Sequence, residues 1–425
     1  MNENVPKLKD CVYIQEFDTS NKNKTFVLVC ENKRWQITDY LYHIINLIDG
    51  KRTIENIAKE LSVILGRNVD EKEVSEVFEK FLIKRGILEG THDTVKKKKS
   101  SAYLWMKIPL IKSENIEKFR FLSNLFNREV VIPFIIIGVL VIAYSIIYLN
   151  NKGINLYSII TMNNLDYISP LIIVYISTIF HELGHSSACM HYNIKPGDIG
   201  FAFYFTYPCF YADVSKVWHL KRTQRAVVDI GGVYFQFVFY VLMCLIGMII
   251  DNISLILGAL LGILFFVGTF NPFIKMDGYW MLSDLMGIPN LHDATKKFLS
   301  LRIRNIFGIN TEKEDVFIRD IKEKEKRFFI IYVLASIIFM TSFTFGIANV
   351  SMMTIAKLYN VINAIDAIDM NVKNIFYTFI NNVALVVTTI LLIRIIFTTS
   401  KALIQGIFSF VNDIKKSVRR SNIEY

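Results

Sequence analysis

Cysteine and charge are scarce in this 425-residue chain. The five cysteines are odd in number and form no CxxC pair, so we expect free, buried thiols rather than a disulfide framework. Charged residues make up only 20%, below the usual quarter, which argues against a disordered chain. No apolar run follows the opening residues MNENVPKLKD, so we expect no cleavable signal peptide.

Hydrophobic residues, in contrast, are abundant. They form 52% of the chain, with 33 Phe and 20 Tyr, and the mean hydropathy is +0.36. This composition predicts a mainly α-helical, polytopic membrane protein. The formal net charge of +10 suggests nucleic acid as a partner, and the positions of the basic residues in the chain decide between this interpretation and others.

Residues 1–92 read as a small soluble domain. Alternating stretches at Val12–Phe17 and Thr25–Cys30 flank a turn-rich segment and predict a β-hairpin. Three amphipathic helices with capping signals follow, and together with the hairpin they predict a winged-helix-like α+β domain. The helices are predicted from Thr38 through Ile48, from Thr53 through Leu65 and over Glu71–Arg85, with Thr38 and Thr53 as caps of the first two and an Asp70-x-x-Glu73 capping box at the start of the third.

Winged helices often bind DNA, but the charge of this domain argues against it. Residues 1–90 hold 14 Lys and Arg against 15 Asp and Glu, whereas a DNA-binding surface is basic. We therefore expect no nucleic-acid partner.

The chain beyond residue 92 is predicted to enter the membrane. A basic linker over 93–129, which contains the run Lys96–Lys99, leads to a membrane core at 130–290. A charged loop over 291–327 follows the core, and a two-helix segment with a basic tail occupies 328–425. Six apolar stretches are long enough to span a bilayer. They are Val130–Leu149, Tyr167–Met190, Ala226–Ile250, Ser254–Phe273, Phe328–Val350 and Ile375–Phe397.

The distribution of Lys and Arg orients these six spans. The loops 150–166, 251–253 and 351–374 hold three, whereas 191–225, 274–327 and 398–425 hold 21. Positive residues stay on the cytoplasmic side, so both termini are predicted to be cytoplasmic in a multi-pass protein of the cell membrane.

The second predicted span contains His181-Glu182-Leu183-Gly184-His185, an HExxH pattern. On a helix, residues four apart share a face, so both imidazoles can bind one Zn²⁺, and Glu182 can act as general base toward water. Ionisable side chains inside a span are costly, which favours a functional role.

A catalytic zinc needs a third protein ligand, and two candidates exist. His191 has the spacing of soluble metzincins, but Ala188 stands where that pattern needs a glycine turn. Asp277 follows the helix-breaking Pro272 at the inner end of the fourth predicted span, the same membrane depth as His181. The topology favours Asp277.

HELGH in one span, with Asn271-Pro272 and Asp277-Gly278 about 90 residues later, resembles the site-2 protease family of intramembrane zinc metalloproteases, peptidase family M50. The resemblance implies that His181, His185 and Asp277 bind zinc, that Glu182 is the catalytic base and that Asn271 helps to hold the substrate. Four residues separate Pro272 from Asp277, more than in the commonest family pattern.

Between the two motifs lies the aromatic, alternating segment Gly200–Val214. Amphipathic rings at the lipid headgroups are one interpretation. The resemblance implies another, a strand that pairs with an extended substrate, with Phe203, Phe205 and Tyr207 as substrate-binding candidates.

The segment Leu47–Ala58 resembles the PqqD-like domains that recognise precursor peptides of ribosomal natural products. The resemblance implies that a leader peptide adds as a strand between Thr25–Cys30 and the third helix. Its contacts would be Phe26, Leu28, Val74 and Phe78. A structural or dimerising winged helix is the alternative.

Together these features predict a zinc metalloendopeptidase in the lipid bilayer that hydrolyses a ribosomally made precursor peptide, in its maturation, export or release. A peptide-modifying enzyme and a transporter are further partners that the resemblance suggests. The alternatives are a site-2-type protease that cleaves a transmembrane regulatory protein, and a non-catalytic peptide-binding scaffold or exporter component. The roles of Arg394, Asn381 and Asn382 in the sixth predicted span stay open.

Overall fold

The computed structural model describes residues 5–31, 33–94, 104–154, 168–204, 207–306 and 320–364. The chain divides into two units. The first comprises Met1–Leu291 with Arg319–Glu325, and the second comprises His292–Ile318 with Lys326–Tyr425. The described part is mainly helical, with a small three-stranded sheet domain at the N-terminus.

The N-terminal domain contains an antiparallel sheet in the order β1-β2-β3, formed by β1 (Tyr13–Glu16), β2 (Thr25–Cys30) and β3 (Lys33–Thr38). The hairpin of β1 and β2 was predicted, and the register Tyr13↔Val29 confirms it. Strand β3 was not predicted, because its sequence KRWQIT is largely polar and lies at the edge of the sheet.

Three helices pack on this sheet: α1 (Asp39–Leu47), α2 (Ile54–Leu65) and α3 (Glu71–Val77), which continues as a π-helical turn over Phe78–Ile83. Thr38 and Thr53 cap the first two as predicted, by accepting from Leu41 N–H and Asn56 N–H. The predicted capping box at Asp70 is wrong, since its side chain makes no cap hydrogen bond. Its partner Glu73 pairs with Arg67 instead, at 2.7 Å.

The segment predicted to be a plain linker contains ordered structure. Strand β4 (Leu104–Ile111) is followed by α4 (Ser113–Ile116) and a 3-10 helix over Glu117–Phe126. β4 pairs antiparallel with β5 (Ile199–Tyr204), which pairs with β6 (Tyr207–Ala212). The prediction missed β4 because its partner lies about 90 residues later in the chain, beyond the reach of local patterns.

Four further helices form the rest of the first unit: α5 (Arg128–Asn151), α6 (Ile168–His191), α7 (Arg222–Ile249) and α8 (Ile253–Thr269). The short helix α9 (Asp277–Met286) follows them. The second unit contains α10 (Leu291–Ile306) and most of α11 (Glu323–Ala364). These two helices contact each other through Phe298 and Phe329, whose ring centres are 5.9 Å apart.

Three helices among the described residues are long and apolar enough to cross a membrane: Arg128–Asn151, Arg222–Ile249 and the Glu323–Met353 part of α11. This is fewer than the six predicted. α8 has only 17 residues because it ends before Pro272, and the polar residues of HELGH lower the hydropathy of α6. The sixth predicted span, with Arg394, Asn381 and Asn382, lies outside the described residues.

Candidate metal centre

The structure brings together the three residues predicted to bind a metal. His181 and His185 lie one turn apart on α6, and Asp277 is the first residue of α9. The two Nε2 atoms are 3.1 Å apart. Asp277 Oδ2 lies 2.9 Å from His181 Nε2, and Asp277 Oδ1 lies 3.7 Å from His185 Nε2. One ligand atom from each residue lies within 4.8 Å of the other two.

These separations suit a tetrahedral divalent ion. Ligand atoms at 2.0–2.2 Å from a tetrahedral Zn²⁺ stand roughly 3.3–3.6 Å from one another. The Nε2–Nε2 separation of 3.1 Å lies within a few tenths of an ångström of that range, and one ligand atom from each of the three residues lies within 4.8 Å of the others. Two imidazole nitrogens and one carboxylate also match the donor set of hydrolytic zinc sites, which leave a fourth position open.

Both histidines are oriented through their other ring nitrogen. His185 Nδ1 lies 2.8 Å from the carbonyl oxygen of Val228, and His181 Nδ1 lies 3.2 Å from Gln236 Oε1. Each Nδ1–H donates to its oxygen, so each Nε2 lone pair is available to a metal.

Gln236 is held in turn by a small polar network inside the helix bundle. Its Nε2 donates to Ser177 Oγ at 2.8 Å and to Tyr240 OH at 3.1 Å. Sequence reasoning missed this residue. A buried glutamine in a long apolar run was the signal that could have identified it, since polar side chains in a membrane need partners.

Glycines let α6 and α7 touch along their backbones. A Cβ at Gly184 would collide with the carbonyl oxygen of Gly231. A Cβ at Gly232 would stand 2.5 Å from His185 Nε2 and 2.6 Å from His181 Nε2. The absence of a side chain at Gly232 therefore makes the space into which both ligand nitrogens point.

α9 presents Asp277 because the chain turns sharply after α8. Asn271 Oδ1 accepts from the Phe273 N–H at 2.9 Å and stabilises this turn. Tyr279, two residues after Asp277, is fully buried and its hydroxyl pairs with Asn290 Oδ1 at 3.1 Å. Packing thus fixes the helix from which Asp277 projects.

The other predicted residues have different surroundings. Glu182 is half-buried beside His181 on α6. His191, the alternative third ligand, lies at the end of α6, where its ring contacts Phe126 at 6.1 Å, and it is not part of the metal-binding group. Phe203 is half-buried in β5, Tyr207 begins β6, and Phe205 lies outside the described residues.

The four residues predicted to contact a leader peptide are core residues of the N-terminal domain. Phe26, Leu28, Val74 and Phe78 are at most 6% exposed and belong to one hydrophobic cluster. β2 pairs with β1 on one side and β3 on the other, so the predicted strand addition at Thr25–Cys30 is wrong. Burial also raises the pKa of two groups in this domain, that of Cys30 to about 11, beside Cys11, and that of Tyr40 to about 12.

Comparison of the chain with protein-family models, with curated proteins and with solved structures finds no match. The assignment of the site therefore rests on its own geometry: a His–His–Asp group able to hold a metal ion, in a mainly helical chain whose described part has three helices long and apolar enough to cross a membrane.

Proposed function

We propose that this chain is a membrane-embedded zinc metalloprotease of the site-2 type. One observation supports it most strongly: His181, His185 and Asp277 each bring a ligand atom within 4.8 Å of the others, and a carboxylate, Glu182, adjoins the first ligand on the same helix. A purely structural zinc site would have four protein ligands and would need no neighbouring base.

The metal, Glu182 and Asn271 would each have a separate role in hydrolysis. A bound Zn²⁺ would polarise the scissile carbonyl and lower the pKa of water. Glu182 would take the proton from the attacking water and later give it to the leaving amine. Asn271 Oδ1 is occupied by Phe273 N–H, so its amide nitrogen is the group that would donate to a substrate carbonyl.

We further propose six membrane spans with both termini in the cytoplasm. The Lys and Arg asymmetry of the loops supports this topology. It places the metal centre toward the cytoplasmic side, where α9 follows the inner end of α8.

A ribosomally made precursor peptide is the proposed substrate, held by the N-terminal domain. Since β2 has no free edge, strand addition would occur at β3, whose outer edge pairs with no strand among the described residues. A groove beside this strand is lined by Arg34, Trp35, Gln36 and Trp218. The substrate would pass from there toward the sheet of β4, β5 and β6, where Phe203 and Tyr207 lie.

Replacing Glu182 by Gln tests the proposal. The full chain is reconstituted in liposomes with zinc and a mixture of model transmembrane and unstructured peptides, and the products are identified by mass spectrometry. We expect the wild type to cleave and E182Q to bind zinc without cleaving. Glu117→Gln, the same change at a carboxylate that pairs with Lys195, is the control and should cleave normally. Cleavage by E182Q at the wild-type rate would refute the proposed role.

A further inference from the structure

The turn between β1 and β2 reaches from the N-terminal domain to the helix that carries Asp277. This β1–β2 turn, residues 18–24, is internally fixed, since Thr25 Oγ1 lies 2.8 Å from Thr19 Oγ1 and donates to the carbonyl oxygen of Phe17 at 2.9 Å. Ser20 at its centre is fully buried. The first part of the turn is therefore buried and held by hydrogen bonds, whereas residues 22–24 are exposed.

Ser20 holds the C-terminal end of α9. Its backbone N–H donates to the Gly287 carbonyl oxygen at 3.0 Å, and its Oγ donates to the same oxygen at 3.2 Å. Gly287 is the left-handed residue that ends α9, with φ of 62°. A Cβ there would stand 2.6 Å from Ser20 N, so the contact depends on glycine.

Arg225 on α7 joins the turn to α9 a second time. Its Nη2 donates to the Asp18 carbonyl oxygen at 3.1 Å, and its Nε donates to Asp284 Oδ1 on α9 at 2.8 Å. The guanidinium also lies 4.5 Å from the ring centre of Phe17, and the residue is only 3% exposed. A buried guanidinium with several fixed partners is rigid, because any movement leaves a charge unpaired.

α9 has only ten residues and begins with Asp277. Ser20 and Arg225 therefore hold this helix at its end and at its last turn, roughly 10–15 Å from the carboxylate that completes the metal-binding group. On the other side of the turn, Ser20 accepts from Lys322 N–H at 2.9 Å, and Lys22 N–H donates to Asp320. The turn is thus held between α9 and the 320–325 segment of the same unit.

We propose that the β1–β2 turn is a positioning element for the metal centre, with Arg225 as a positioning residue. The docked N-terminal domain holds α9 so that Asp277 meets His181 and His185, and metal affinity depends on that docking. The inference rests on the proposed function only in taking these three residues as metal ligands. It makes the N-terminal domain part of the catalytic unit as well as a peptide-recognition domain.

The test uses the full chain in detergent and Co²⁺ as the probe, whose visible absorption reports the number of ligands. Ser20→Pro removes the N–H that holds Gly287. Arg225→Met removes the guanidinium bonds to Asp18 and Asp284, together with a third bond to the Leu220 carbonyl oxygen. Each should weaken Co²⁺ binding about 10- to 100-fold, the effect typical of residues that orient ligands, and shift the spectrum toward that of Asp277→Asn. Arg225→Lys should restore part of the loss because it keeps the charge.

Gln15→Ala is the matched control, because Gln15 Nε2 donates to the His219 carbonyl oxygen, a contact of the N-terminal domain that lies outside α9. It should bind Co²⁺ like the wild type. If folded S20P has the Co²⁺ affinity and the spectrum of the wild type, the inference is overturned. If R225M does not fold, the result for S20P decides the test. A wild type that binds no Co²⁺ would instead refute the metal centre itself.

Discussion

A single methyl group added at Gly232 should disrupt the metal centre without removing a ligand. In G232A the new Cβ would stand 2.5 Å and 2.6 Å from the two ligand nitrogens, whereas ordinary contacts begin at 3.4 Å. Each imidazole must therefore retreat by about 0.8–0.9 Å, several times the roughly 0.2 Å tolerance of a metal–ligand bond. We expect zinc affinity to fall at least about 100-fold, equivalent to roughly 2.7 kcal/mol.

Competition with a chromogenic chelator, on the full chain in detergent, measures this affinity. Gly247→Ala is the matched control, since its Cβ would press on Ile256 Cγ1 at 2.7 Å on the same helix. It lies about 22 Å along α7 from Gly232 and should leave zinc affinity unchanged. Wild-type affinity in G232A would show that the two histidine rings do not bind a metal in this arrangement.

Three further predictions concern the surroundings of the site. Gln236→Leu should lower zinc affinity about 10- to 100-fold because His181 Nδ1 loses its acceptor, whereas Tyr240→Phe should change the affinity far less. Equal zinc affinities of the Q236L and Y240F variants would contradict the assigned orientation of His181. Asp277→Asn should lower zinc affinity more than either, measured by the same competition, and retained binding would point to another third ligand. Leu28→Ala should destabilise the N-terminal domain by about 2–5 kcal/mol, measured by hydrogen exchange, because Leu28 is a fully buried core residue; an unchanged domain would favour a peptide-contact role.

Local patterns predicted the parts of the molecule that depend on nearby residues. The threonine caps of α1 and α2 and the β1–β2 hairpin follow from residues within one element or one turn. The histidine pair of α6 follows from helical periodicity alone. Asp277 was reached by combining a helix-breaking proline with the inferred membrane depth, and the structure places it within 2.9 Å of His181 Nε2.

The missed features depend on residues far apart in the chain. Gln236 contacts His181, which lies 55 positions away in the chain, and β4 pairs with β5, which lies about 90 positions away. Pairing with β3 closed the edge of β2 that was expected to accept a peptide, and packing of the helices on the sheet buried the side chains that were expected to contact it. Arg225 reads in the sequence as a topology-determining charge of an inner loop, but the fold gives it partners on two other elements.

The most direct test of the central claim measures bound zinc and peptide hydrolysis in the same samples of wild type and E182Q. We predict one zinc per chain in both proteins, hydrolysis by the wild type alone, and its loss and recovery when zinc is removed and restored. Zinc-free wild-type protein that still hydrolyses peptide, or equal hydrolysis by E182Q, would contradict the account.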